Sequence, residues 1–159
     1  MTAESGRGQR HILQLPNGPI TLIDESYNAN PASMKAAIEL LDATPIHGAG
    51  RRIAVLGDML ELGSHSAKLH QALAELIGST RTDMVLMAGP EMKALADTLP
   101  AGFRAEYRSG VEELKSVLLT TLQPGDAVMI KSSKGIGFNR LVEALIKTFP
   151  AEAGNTTPT

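Results

Sequence analysis

Short apolar runs alternate along this chain with longer segments whose apolar residues recur every three or four positions. Ile20-Thr21-Leu22-Ile23, Ile53-Ala54-Val55-Leu56, Met84-Val85-Leu86-Met87-Ala88 and Ala127-Val128-Met129-Ile130 show no polar alternation, as expected of strands buried on both faces. Between them, Met34, Ala37, Ile38 and Leu41 mark one helix face, and Leu69, Leu73, Leu76 and Ile77 a second. Met92, Leu95 and Ala96 mark a third, Leu114, Val117, Leu118 and Leu122 a fourth, and Phe138, Leu141, Val142, Leu145 and Ile146 a fifth. Phe103 to Tyr107 predicts a further short strand. His11 to Leu15 and Ile20 to Asp24 flank Pro16-Asn17-Gly18-Pro19, which predicts a hairpin. Asn30 is a good N-cap with Pro31 at the first helical position, and Ser109-Gly110-Val111-Glu112 has the spacing of a capping box.

This order predicts a Rossmann-like three-layer α/β/α domain with right-handed crossovers. Its sheet is expected to be mostly parallel, with one antiparallel strand from the N-terminal hairpin. The expected domain covers 11–149, after a polar interdomain linker at 1–10 and before a disordered tail at 150–159.

Length and charge exclude several functions. The 159 residues suit one core. Fifteen basic against seventeen acidic side chains, net -2, give no electrostatic footprint for nucleic acid or an anionic membrane, and 3% aromatics give no base-stacking platform. Cysteine is absent, which removes disulfides, thiolate zinc sites and a thiol nucleophile and suits a reducing cytoplasm. No segment has the length of a membrane span or the apolar core of a leader, so a soluble cytoplasmic protein is expected.

Candidate chemistry collects in the loops that follow the strands. In an open α/β sheet these share one edge, which predicts that Asp24, Glu25, Asp58, Gly89 and Lys131 meet at one crevice. Carboxylates there can hold Mg²⁺ or accept hydrogen bonds from a ribose, and Lys131-Ser132-Ser133-Lys134 ahead of the last helix suits phosphate or carboxylate. Each has a plainer explanation: an acid against a helix dipole, surface lysines, Asn30 as a cap. No G-x-x-x-x-G-K-[ST] loop exists, and Arg140 stands where the dinucleotide fingerprint beginning at Gly135 needs glycine. No nucleophile elbow is present, and Asn155-Thr156-Thr157 is a sequon without secretory context. His65 and His70 lie roughly 140° apart on a helix; both are expected at the surface rather than on a metal. From these residues alone a receiver-like signalling domain phosphorylated on Asp58, with Lys131 and Mg²⁺ beside it, stays open. The hairpin entry, the long interval from Asp58 to Lys131, and Ser132 where receivers carry proline count against it.

Gly6-Arg7-Gly8, Asp24 to Pro31 with Ser33-Met34, Ile53 to Gly63 with Leu69-His70, and Lys131 to Gly137 together closely resemble the C-terminal domain of the Mur ligases. The resemblance runs in order from about Gly6 to Lys147. It implies the third domain of an ATP-dependent, ADP-forming ligase of peptidoglycan precursor synthesis, with ATP and Mg²⁺ held mainly by a central domain. The partners it implies are the enzyme's own N-terminal and central domains, UDP-N-acetylmuramoyl-tripeptide and D-alanyl-D-alanine. Arg7 then matches a nucleotide contact, Glu25 the ribose acid, and Asn28 and Asn30 the nucleotide-side loop. Asp58 and Ser133 match the acceptor side, and Lys131 and Lys134 catalytic cations that oppose developing charge. Two departures stand out: the family usually has Asp where Glu25 stands, and Gly then Arg where Ser132 and Lys134 stand. The fragment is expected to be inactive alone.

Overall fold

The computed structural model describes residues 8–151. Arg7 and the tail 152–159 lie outside the described residues. The strands are β1 (Gln9–Leu15), β2 (Gly18–Glu25), β3 (Arg52–Gly57), β4 (Met84–Ala88), β5 (Arg104–Arg108) and β6 (Ala127–Lys131). The helices are α1 (Pro31–Ala43), α2 (Ser66–Gln71), α3 (Leu73–Gly78), α4 (Lys93–Thr98), α5 (Val111–Thr121) and α6 (Asn139–Thr148). They build one six-stranded sheet in the order β1-β2-β6-β3-β4-β5. Only β1 and β2 pair antiparallel; every other pair is parallel.

Both faces of this sheet are covered, as the continuous apolar runs require. Leu22, Val55, Val128 and Ile130 pack on one side with Leu114 and Leu118 of α5, Leu141 of α6 and Phe138 just ahead of α6. Ile23, Ala54, Leu56 and Met129 pack on the other with Met34, Ile38 and Leu41 of α1, Ile77 of α3 and Leu95 of α4. Each such side chain, buried fully, contributes roughly 1.5–3 kcal/mol from removal of apolar surface.

Asn30 caps α1 as expected: its Oδ1 accepts the Ser33 N–H at 2.9 Å, and Ser33 Oγ accepts the Asn30 N–H at 3.0 Å, a reciprocal capping box. Other expectations change. β1 begins at Gln9, so the last two linker residues are strand, and the tail's first residues lie against the same strand, with Gln14 donating its N–H to Pro150 O at 2.7 Å and Ala151 bridging Leu13. The capping box expected at Ser109 does not form. Gly110 is the N-cap without a side-chain acceptor, Ser109 Oγ reaches only Glu113 at 3.4 Å, and Glu112 and Glu113 complement the helix dipole instead. The helix expected through Leu69–Ile77 is broken at Ala72 into α2 and α3, and a 3-10 turn at Gly63–His65 leads into α2. Ile146 is 41% exposed, one position beyond the stripe that Leu141, Val142 and Leu145 fill.

The end of the sheet where the parallel strands begin is closed by polar side chains paired with one another. Asp126 accepts the Arg51 N–H at 2.8 Å, the Gln123 N–H at 2.8 Å and the Arg51 guanidinium at 2.9 Å, and that guanidinium also donates to Thr121 O at 2.7 Å. The Arg52 guanidinium donates twice to Thr44 O, at 2.9 and 3.1 Å, and Asp83 accepts the Arg52 N–H at 2.9 Å. A Cβ at Gly50 would stand 2.0 Å from Gly125 O, so the two loops cross here as bare backbone.

Candidate functional site

The opposite end carries the loops that follow β2, β3, β4 and β6. β2 continues through Glu25, so Asp24 and Glu25 project to opposite faces and do not act as a pair. Asp24 is buried and accepts the Ser26 N–H at 3.0 Å and its hydroxyl at 2.5 Å. Glu25 stands opposite Lys131 in the β2–β6 register, with Oε1 4.0 Å from Lys131 Nζ. Gly8, at a φ of +81° that favours glycine, donates its N–H to Asp24 O at 2.8 Å and lies against Glu25, whose Oε2 a Cβ there would touch at 3.4 Å. Burial pushes the Glu25 carboxyl above its ordinary range, Lys131 opposes that, and Asp24 adds to it. Burial likewise pushes the Lys131 ammonium down, against the pull of Glu25. Lys131 spends a hydrogen bond on the chain itself, donating to Asn28 O at 2.7 Å, and so pins the β2–α1 loop.

The loops after β3 and β4 lock to each other through Asp58. This buried carboxylate accepts the Met92 N–H at 2.8 Å and sits against Gly89, whose φ of +113° leaves no place for a side chain. Burial pushes the Asp58 carboxyl up, and the Glu91 and Met92 N–H groups pull it back. Asp58 O also accepts the Ser133 N–H at 3.0 Å. His70, expected at the surface, is wholly buried. Its Nε2 accepts the Met59 N–H at 3.1 Å, which leaves Nδ1 as the protonated nitrogen, donating to Ser66 O at 2.8 Å. Ser66 Oγ in turn donates to the Glu91 carboxylate. Its place in the sequence signals this: His70 precedes Leu73 and Ile77 by three and seven residues, on the face those two bury. His65 is exposed.

A cleft of about 450 Å³ opens between Asn28–Asn30, Leu60–Leu62 and Ser133–Gly135. Ser133 stitches its walls, with Oγ accepting the Leu60 N–H at 2.8 Å and donating to Ala29 O at 3.3 Å. Asn28 Oδ1 accepts the Ala29 N–H at 2.8 Å, and Asn30 caps α1. Lys134 is exposed, its Nζ 5.3 Å from the centre of the Tyr27 ring. Glu61, which the sequence reading passed over, is the one non-glycine residue with positive φ among the described residues, at 64°. That conformation costs a long-chain residue about 1–2 kcal/mol, and nothing in its residue type announces it. A larger cleft of about 590 Å³ lies at the other end of the sheet between β5 and α5; its Arg51 is already held by Asp126, and it contains none of the loop residues above.

The expected single crevice is therefore two places: a closed Glu25–Lys131 pair under Gly8, and an open cleft at Leu60–Leu62 and Ser133–Gly135 with Asp58 buried behind it. The receiver reading fails on this geometry. The Asp58 carboxylate is committed to main-chain N–H groups, and among the described residues no group of three or more His, Cys, Asp or Glu is placed to hold a metal ion. No described helix is long and apolar enough to cross a membrane.

A family model described as "Mur ligase, glutamate ligase domain" matches residues 6–134. The UDP-N-acetylmuramoyl-tripeptide–D-alanyl-D-alanine ligase of Rickettsia prowazekii is 31% identical over 137 residues, covering 86% of this chain and 29% of that protein. The same ligase of Bacillus subtilis is 31% identical over 144 residues (89% and 31%), and that of Escherichia coli 34% over 139 (87% and 29%). The chain thus spans less than a third of the curated relatives it matches. Among solved structures, the MurF ligase of Thermotoga maritima in complex with ADP superposes with a TM-score of 0.73 at 26% identity, over 92% of this chain and 32% of that one. MurF from Acinetobacter baumannii gives 0.73 at 26%, over 92% and 31%.

Proposed function

We propose, from the premise that this chain belongs to the Mur ligase family, that it is the C-terminal domain of an ATP-dependent ligase joining D-alanyl-D-alanine to UDP-N-acetylmuramoyl-tripeptide. The observation that carries this reading is the coverage: relatives of that one name align with most of this chain and with less than a third of themselves. The reaction belongs to the cytoplasmic stage of peptidoglycan precursor synthesis, and through it to cell shape and division.

ATP transfers its γ-phosphoryl group to the tripeptide carboxylate, giving an acyl phosphate and ADP; the dipeptide amine attacks the acyl carbon, and phosphate leaves as the amine gives up a proton. The resemblance assigns the phosphates of ATP and Mg²⁺ mainly to the central domain, which fits a chain without a Walker loop of its own. What this domain contributes is closure and orientation. Glu25, half-buried beside Lys131 and under Gly8, presents a carboxylate that fits the hydroxyls of a ribose. Lys131 acts through the Asn28 loop that it holds, and Lys134 offers the exposed cation of the site. Asp58 braces the acceptor-side cleft from behind, and Ser133 lines it while tying Leu60 to Ala29. A lid built this way excludes water from a hydrolysable intermediate and brings amine and acyl group together.

The test is ADP release by the whole protein that carries this domain. It requires ATP, the UDP-linked tripeptide and D-alanyl-D-alanine together, whereas residues 1–159 alone release none. Turnover by the 159-residue chain, or a whole protein indifferent to the dipeptide, overturns the reading.

A further inference from the structure

The geometry points to β5 as a self-pairing edge: two copies of this chain join antiparallel along β5 about a two-fold axis at Ala105, with Arg104 of each copy opposite Glu106 of the other. This pairing is independent of the ligase reaction.

The sheet has two edges, and they are finished differently. At β1, Pro150 O takes the Gln14 N–H at 2.7 Å and Ala151 bridges Leu13. At β5, β4 is the one partner among the described residues, so main-chain groups on the far side of Arg104–Arg108 are open to pairing. Neither face of the strand is fully covered. On the α5 side, the cleft of about 590 Å³ leaves Arg104 and Glu106 exposed. On the other, Ala105 is exposed between the half-buried Phe103 and Tyr107.

Charge defends an edge strand when an incoming strand meets its own sign. Along one face of β5 the signs alternate, Arg104, Glu106, Arg108, so the defence depends on register. In an antiparallel joint, opposed residues either both turn their N–H and C=O into the joint or both turn them away, so the axis relating two copies of one strand falls at a residue and never between two. Axes at Ala105, Glu106 and Tyr107 bring three or more residues of each β5 opposite one another. The axis at Glu106 sets Glu106 against its own copy and Arg104 against Arg108. The axis at Tyr107 gives Glu106 a second Arg108 beside the one that it already holds at 3.0 Å, and leaves Arg104 opposite Gly110, where the chain has turned away as the N-cap of α5. Arg104 has no hydrogen-bond or ion-pair partner among the described residues. The axis at Ala105 supplies one, twice over by symmetry, and Glu106 keeps its own Arg108. On the other face Ala105 meets its copy, and Phe103 comes opposite Tyr107. Opposite charges and aromatic pairs directly across a joint both favour it.

A joint this short belongs with small, transient interfaces, so sedimentation of the 159-residue chain is followed from about 10 μM to about 1 mM. The mass rises from one chain towards two. Arg104→Glu and Glu106→Arg each weaken association about tenfold, since the axis counts every opposed pair twice, and the double exchange restores it to within about threefold. Both side chains are exposed, and each variant unfolds thermally as the unsubstituted monomer does. The chain has no cysteine, so introduced thiols report the register. Ala105→Cys cross-links to its own copy under a mild oxidant, because opposed Cα atoms about 4.5–5.5 Å apart suit a disulfide. Glu106→Cys, whose copies stand on a diagonal beyond that reach, cross-links far more slowly. A chain that stays monomeric throughout the range, association indifferent to Arg104→Glu, a double exchange no better than its single parts, or faster cross-linking at Glu106→Cys than at Ala105→Cys overturns the inference.

Discussion

The two ends of the sheet use similar residues to opposite effect. Where the parallel strands begin, Arg51, Arg52, Asp83 and Asp126 are consumed by one another and by loop main chain, and the loops cross at Gly50 and Gly125 without side chains between them. Where the strands end, main-chain groups are satisfied by buried side chains, Asp58, His70, Lys131 and Ser133, while Glu61 and Lys134 are left turned outward. One end is a frame; the other is a frame with tools mounted on it. The difference shows that a charged residue's task here is decided by whether its partner lies within the domain.

Substitutions at the two ends should separate accordingly. The largest effect is expected from Asp126→Ala, which strands Arg51 and two N–H groups at a fully buried position; a loss of about 3–5 kcal/mol in urea unfolding is expected. A loss below about 1 kcal/mol breaks the notion of a frame. Asp58→Ala comes next, costing about 1–3 kcal/mol for the abandoned Met92 and Glu91 N–H groups, and it should loosen amide exchange at 89–92 and 133 before it affects the core. The smallest effect concerns pH. The Glu25 carboxyl titrates in the folded chain above its ordinary 4.5, so the folded state binds the extra proton and stability falls as pH rises from 4.5 through the folded value. Glu25→Gln removes that fall, by under about 1 kcal/mol because Lys131 offsets part of the burial cost; an unchanged slope between acid and neutral pH in thermal unfolding would contradict the assignment.

Much of the frame is legible in the sequence because it depends on local rules. Apolar runs give the strands, and Asn30-Pro31 with Ser33 fixes the start of α1 before any tertiary contact forms. The site is less legible because its decisive facts are tertiary. Asp24 and Glu25 read as neighbours at a loop, but β2 runs on through Glu25 and turns them to opposite faces. His70 reads as polar and is buried, since the Met59 N–H and Ser66 O meet both its nitrogens. Asp58 and Lys131 read as open chemistry, and the ties they make to the Met92 N–H and to Asn28 O are tertiary facts that no local pattern announces. Glu61 carries no mark in one dimension, because a positive φ is imposed by what grips the residues around it.

The strand order has a consequence for the making of the molecule. β6 lies between β2 and β3, yet it is the last strand in the chain. During synthesis β2 and β3 emerge early with facing edges that belong to a strand not yet translated, and they cannot simply pair with each other without occupying its place. The β1-β2 hairpin and the β3-β4-β5 half of the sheet are joined through Ala127–Lys131 alone, so the sheet is continuous only once that last strand is in place. Without that strand, the facing main-chain edges of β2 and β3 have no partner in the sheet, and such edges are templates for mispairing.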